Sequence, residues 1–237
     1  MALLGVIGGL GPMATAYFME LITSMTDAGC DQEHMRMLVY SIPDTPDRTS
    51  FILGRSQASP LPNMLEAGRA LKSLGVDVIA VPCITAHYFH LELETGLGVR
   101  ILHAIRDCSD LLKESGVTNV GLMATEGTVS TGLFQRELQG RGITLTVPGQ
   151  EGQRAVTSLI YDDVKRGRRP DMDSFHRVKN ELRQRGAEVV LLGCTELSVI
   201  KRENDTGSGV LDVMEVLASS AVKVCGKKLS PHLRLIT

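Results

Sequence analysis

Two segments of this 237-residue chain read as versions of one pattern. Residues 68–83 are GRALKSLGVDVIAVPC and residues 179–194 are KNELRQRGAEVVLLGC. In each, helical spacing ends at a glycine (Gly75, Gly186), a short apolar run follows, and a cysteine comes eight residues after the glycine. Cys83 and Cys194 are 111 residues apart. A second pair, LGVIGGLGPMATAYF at 4–18 and VGLMATEGTVSTGLF at 120–134, aligns Gly5 with Gly121, Gly11 with Gly127, Thr15 with Thr131 and Phe18 with Phe134. A chain that repeats itself on this scale builds the same supersecondary unit twice, here an α/β unit of roughly 110 residues.

The order of elements agrees. Leu3–Ile7 is a compact apolar run, followed by a glycine-rich turn and by Pro12, placed for the first turn of a helix reaching about Met25. Met37–Ile42 is a second strand, and Ser59-Pro60 opens a helix that Gly75 stops. Val76–Val81 is apolar almost throughout, as in a parallel strand covered on both faces. The alternation continues to the C-terminus and predicts an α/β fold. We expect two similar parallel-sheet subdomains related by a pseudo-twofold axis, the first from 1–102 plus about 210–237 and the second from 103–209. In open parallel sheets ligands lie beyond the carboxyl ends of the strands. Cys83 and Cys194 each follow a strand, so both are expected to enter one cleft from opposite sides.

Two opposed thiols suit one kind of chemistry. Inverting a carbon stereocentre by proton transfer needs a base on one face and an acid on the other. A thiol near its ordinary pKa of about 8.5 can serve as either. Each cysteine also precedes an expected helix start, Thr85-Ala86-His87 or Thr195-Glu196-Leu197, and the helix dipole would favour thiolate. A lone cysteine after a buried strand is ordinarily core; the matched pair argues otherwise. Cys108 shares a helix face with Ile105, Leu111 and Leu112 and reads as core, while Cys30 and Cys225 have no motif around them.

Composition narrows the class. With 25 basic and 27 acidic residues the net charge is −2, which gives no general attraction to nucleic acid or anionic membrane. Aromatic residues are only 4% and Trp is absent, which weakens any base-stacking role. Five widely spaced cysteines without a CxxC argue against a disulfide scaffold or zinc ribbon and fit a reducing cytoplasm. The apolar N-terminus lacks the basic region of a signal peptide, and no apolar stretch reaches 18 residues.

These residues resemble the aspartate/glutamate racemase superfamily of cofactor-independent amino-acid racemases, nearest to its aspartate racemase branch. The likeness runs through Gly8-Gly9-Leu10-Gly11-Pro12, Cys83 with Thr85-Ala86-His87, Ala124-Thr125-Glu126-Gly127-Thr128, and Gly193-Cys194-Thr195-Glu196-Leu197. It implies an active site between two α/β subdomains, catalytic Cys83 and Cys194, no pyridoxal phosphate, an acidic amino acid as substrate, and a homodimer. It also implies that Arg48 and Lys165 hold the distal carboxylate, a role a bidentate guanidinium suits. Thr125 and Thr128, beside Gly127 in a strand-to-helix turn, would offer hydroxyls and N–H groups to the α-carboxylate. Thr85 and Thr195, next to the cysteines, complete the expected binding set. One position departs from the pattern: Ile84 stands where the family usually carries Asn. Isoleucine offers no hydrogen bond there, and losing such a contact costs about 1–3 kcal/mol. Thr85 is the residue placed to substitute for it.

Other readings fit parts of the sequence. A protein that keeps the acidic pocket without turnover is one, motivated by Ile84, and an isomerase or decarboxylase of a small dicarboxylic acid is another. Gly9-Leu10-Gly11-Pro12-Met13-Ala14 fits a dinucleotide fingerprint, but Pro12 sits inside it and no acidic residue ends the second strand. His87, His90 and Glu94 have the spacing of a helical metal site, which a helix packed on a sheet also produces.

Overall fold

The computed structural model describes residues 2–237. The first half contains β1 (Leu4–Gly8), α1 (Pro12–Met25), β2 (Met37–Ser41), α2 (Arg48–Ile52), α3 (Leu61–Ser73), β3 (Val78–Ala80), α4 (His90–Leu97) and β4 (Arg100–Ile101). Then come α5 (Ala104–Glu114), β5 (Asn119–Met123), α6 (Glu126–Ser130), α7 (Leu133–Gln139), β6 (Thr144–Thr146), α8 (Gln150–Ser158), α9 (Met172–Gln184), β7 (Val189–Leu192), α10 (Thr195–Glu203), β8 (Val210–Asp212) and α11 (Val213–Val224).

The repeat is now visible as topology. One sheet has the order β2-β1-β3-β4 and the other β6-β5-β7-β8, and every pairing is parallel. The two halves are therefore similar α/β units, as expected. Gly75 and Gly186, which close the equivalent helices α3 and α9, both have positive φ, at 82° and 95°. An L side chain is strained there, which is why the repeat keeps glycine at this stop.

Alternation along the strands sorts side chains into three apolar layers. Leu4 and Val6 of β1, Val78 and Ala80 of β3, Val120 and Leu122 of β5, and Val189 and Leu191 of β7 face one common core. Ile7 and Ile79 turn to an outer core of the first half with Met64 and Leu71. Met123, Val190 and Leu192 turn to an outer core of the second half with Phe175 and Leu182. This is the period of two expected for sheets buried on both faces. The common core is completed by Phe18 and Ile22 of α1, Ile105 and Cys108 of α5, Phe134 of α7 and Leu217 and Ala218 of α11. Cys108 is thus core, in agreement with its helical spacing.

Three expectations are adjusted. The segment from 210 does not all return to the first half: residues 210–212 form β8, which pairs with β7, and only after Asp212 does the chain cross to pack α11 on α1 and α5. Asp212 caps α11, accepting from Met214 N–H at 2.8 Å and from Ser198 Oγ of α10 at 2.7 Å. Gly127 lies inside α6, not in the turn before it, because Thr125 takes the cap position. The helix corresponding to α1 is broken at Gly132, whose φ is +64°, into α6 and α7, so Thr131 ends a helix instead of lying within one.

The shared layer predicts cooperative unfolding. Phe134 is 1% exposed in that layer, and Phe134→Ala should cost about 3–5 kcal/mol. Because the layer belongs to both sheets, circular dichroism in denaturant should show one transition shifted as a whole. Two separated transitions, with only one displaced, would mean that the halves fold independently.

Candidate active site

Both cysteines sit where a strand ends and a helical segment starts. Cys83 follows β3 and precedes a 3-10 helix, Ile84–Phe89. Cys194 follows β7 and precedes α10. Their backbones are extended, with φ of −150° and −145°. Both thiols line one inner cavity with Leu10, Asp47, Arg48, Thr49, Ile84, Thr85, Thr125, Tyr161, Lys165, Thr195 and Glu196. That cavity is about 10 Å³, on the scale of one water. Outside it lies a wider cleft of about 470 Å³, floored by Gly9, Gly11 and Pro12 of the loop after β1. Asp47, Arg48, Lys165 and Glu196 line both spaces and form the partition between them.

The polar groups around the cysteines differ. Cys194 Sγ donates to Glu196 Oε2 at 2.9 Å, and the other carboxylate oxygen, Oε1, meets Lys165 Nζ at 3.0 Å. Thr195 Oγ1 donates to Glu196 Oε2 at 3.4 Å. Burial, then the charge of Glu196, pushes the Cys194 thiol well above its ordinary range. The expected helix-dipole effect on this thiol is therefore overturned: a carboxylate in contact and loss of solvent outweigh a partial charge. Burial opposes the charge on Lys165, but Glu196 and then Cys194 hold its ammonium at about 12. Lys165 also lies 5.4 Å from the centre of the Tyr161 ring.

Arg48 is 8% exposed. Its guanidinium donates to the carbonyls of Leu10 at 2.9 Å, Pro46 at 3.1 Å and Thr45 at 3.3 Å. Its Nε has no protein partner. Burial disfavours its charge, while Cys83 and Asp47 support it. Arg48 thus braces two loops, the one after β1 and the one before α2, and keeps one donor in reserve.

At the cavity three hydroxyls form a triangle: Thr85 to Thr125 at 3.1 Å, Thr85 to Thr128 at 3.0 Å, and Thr125 to Thr128 at 3.1 Å. Thr85 and Thr125 line the cavity, and Thr128 reaches it through them. The Thr128 N–H already donates to Thr125 Oγ1 at 3.1 Å, so the hydroxyls and not this amide are the groups on offer. Gly127 stands behind, so close to Thr49 that a Cβ would lie 3.0 Å from its Cα. Ile84 is 2% exposed and belongs to the cavity wall.

Sequence reading missed Asp47, Thr49, Tyr161 and Glu196. Glu196 had a signal, since it follows Cys194 by two residues in the quoted motif. Asp47 caps α2 through Ser50 N–H at 2.8 Å, a local role next to Arg48. Tyr161 is carried on a π-helical turn, Leu159–Asp163, and such widened turns occur often at functional sites but have no simple sequence mark.

His87 has no ring nitrogen free for a metal. His87 Nε2 accepts from Ala104 N–H at 3.1 Å, which leaves the proton on Nδ1 to donate to the Cys83 carbonyl at 3.1 Å. Both ring nitrogens are therefore engaged by backbone. Among the described residues no group of three or more His, Cys, Asp or Glu side chains has metal-binding geometry. Burial, with His103 adding repulsion, lowers His87 from 6.5 to about 3. The unfolded chain takes up this proton below about 6.5 while the folded chain refuses it until about 3. Stability present above that window is lost as pH falls through it. His87→Asn should cost about 1–3 kcal/mol near neutral pH and flatten the acid limb of Tm against pH. An acid limb as steep as in the wild type would show that His87 is not the group responsible.

The site can be set beside known proteins. The description Asp/Glu/hydantoin racemase matches residues 7–221. A broad-specificity amino-acid racemase, RacX of Bacillus subtilis, is 24% identical over 224 residues, 93% of this chain and 96% of that one. Among solved structures, the aspartate racemase of Picrophilus torridus superposes with a TM-score of 0.83 at 33% identity, covering 97% of this chain and 96% of its own. A glutamate racemase of Francisella tularensis, solved with D-glutamate, shares the fold with a TM-score of 0.68 at 12% identity, over 94% of this chain and 80% of that one. With the family match spanning most of its length and its two cysteines set at equivalent strand ends, this chain belongs to the Asp/Glu/hydantoin racemase family.

Proposed function

We propose that the protein is a pyridoxal-phosphate-independent racemase of an acidic amino acid, aspartate or glutamate, acting by proton transfer at Cα between Cys83 and Cys194. The observation that carries this reading is that two thiols from the two halves line one cavity. In each direction one sulfur, as thiolate, takes the Cα proton and the other, as thiol, delivers a proton to the opposite face. The roles are then exchanged, so the reaction runs both ways. The α-carboxylate would be received by the hydroxyls of Thr85, Thr125 and Thr128. The distal carboxylate would lie at Lys165 and Arg48 in the partition. Likeness to the P. torridus aspartate racemase supports the acidic substrate.

A second reading draws on Ile84 and on the broad-specificity relative: an apolar wall beside the reacting carbon would accept neutral side chains as well.

A chiral assay without added cofactor tests the reaction. Cys83→Ala or Cys194→Ala should reduce racemisation in both directions by roughly 10²–10⁴-fold, since each direction needs both groups. Each variant keeps one base, so the two should exchange the Cα proton of opposite enantiomers with deuterium. Near-wild-type racemisation by either variant would exclude the two-base mechanism. Substrate class is read from Lys165→Met, which should impair aspartate and glutamate far more than alanine; equal effects on all three favour the neutral-substrate reading.

A further inference from the structure

Glu196 has no assigned part in the reaction above, yet its carboxylate is held by three neighbouring side chains. It is 5% exposed. Its Oε2 accepts from Cys194 Sγ at 2.9 Å and from Thr195 Oγ1 at 3.4 Å, and its Oε1 pairs with Lys165 Nζ at 3.0 Å. Arg48, braced across the cavity, also feels its charge. The loop after β1 is shaped around it. A Cβ on Gly11 would come within 3.1 Å of Glu196 Oε1, so the glycine leaves the carboxylate its place. The Glu196–Lys165 pair lines both the outer cleft and the inner cavity. A ligand passing from one to the other meets this pair.

We infer that Glu196 is an internal stand-in for the substrate's distal carboxylate, masking Lys165 and holding Cys194 as a thiol, so that only a ligand bringing its own carboxylate can displace it. This rests on the reading of Lys165 as holder of a distal carboxylate. The chemistry follows from the contacts. Lys165 carries one charge and is already paired, so a neutral side chain entering the partition would break an ion pair and replace it with nothing. A dicarboxylate exchanges one carboxylate for another and leaves the ammonium paired. Glu196 thereby acts as a specificity-determining residue, rejecting neutral ligands by the cost of breaking an ion pair whose carboxylate end is buried. On the cysteine side, a negative oxygen in contact with Sγ disfavours a second negative charge there. Cys194 therefore rests as a thiol.

Two measurements on the full-length protein test this, one requiring no turnover. Succinate is a dicarboxylate without an α-amino group, and its binding is followed by calorimetry with butyrate as the single-carboxylate comparison. Glu196→Gln keeps the shape and removes the charge, so succinate should bind about tenfold tighter, as expected when a partly exposed ion pair no longer competes. Butyrate should gain less, because it cannot satisfy both carboxylate positions. Separately, alkylation of Cys194 by iodoacetamide is followed against pH by peptide mass spectrometry. Removing the adjacent negative charge should move its midpoint to lower pH. Gly11→Ala, whose backbone lies at an unstrained φ of −99°, crowds the carboxylate directly and should shift both readouts the same way by a smaller amount. A merely structural Glu196 predicts lower stability, no gain in succinate affinity and an unmoved Cys194 midpoint in both variants, and that result overturns the inference. Lys165→Met separates this failure from failure of the functional reading. If it leaves succinate binding intact, the placement of the distal carboxylate is wrong. If it abolishes binding while Glu196→Gln gains none, the placement stands and the masking is overturned.

Discussion

The apolar layer between the two sheets is the constraint on which the rest of the structure depends. Each sheet contributes one face of its strands to it, and α1, α5 and α11 fill the space between. Because those side chains alternate with residues committed to the outer cores, neither sheet can slip by one residue without turning its whole apolar set the wrong way. The carboxyl edges of β3 and β7 are therefore held in register relative to one another. The two cysteines inherit their placement from this packing, not from any bond between them.

Building a polar site at such an edge has an energetic cost, which the structure offsets locally. Arg48 and Glu196 are largely removed from solvent, Lys165 only partly so, and an unpaired charge in a buried place is expensive. Each has a partner: backbone carbonyls from two loops for Arg48, Glu196 for Lys165, and both Lys165 and the Cys194 thiol for Glu196. The Thr85–Thr125–Thr128 triangle does the same for three buried hydroxyls without introducing charge. His87, kept neutral by burial, fixes the carbonyl of Cys83 through Nδ1 and so steadies the backbone at that cysteine. The two halves repeat in topology but not in electrostatics, since Cys194 touches a carboxylate while the guanidinium of Arg48 lies toward Cys83. A duplicated scaffold has been given two unlike ends.

Much of this was legible from residue order alone. The glycine stops at Gly75 and Gly186, the apolar runs after them, and the cysteine eight positions on are local signals, and they yielded the two parallel sheets and the strand-end cysteines. The helix break at Gly132 and the entry of Gly127 into α6 were not legible, because the alignment of 120–134 with 4–18 implies a continuous helix that only the first copy forms. The thiol expectation failed for a different reason. A helix dipole can be inferred from sequence, but the desolvation that overrides it at Cys194 exists only once the second layer of residues is packed around the sulfur.

By itself, then, the sequence determined the repeated α/β unit, its strand and helix order, and which cysteines stand at the ends of equivalent strands, since these follow from short-range periodicity and backbone freedom. Tertiary structure alone decided what surrounds each thiol. Lys165 reaches Glu196 across the partition, Arg48 reaches the carbonyl of Leu10, and Gly11 leaves room for a carboxylate nearly two hundred residues further along the chain. Charge and solvent exposure at a buried atom are set by neighbours in space, and those neighbours are distant in sequence.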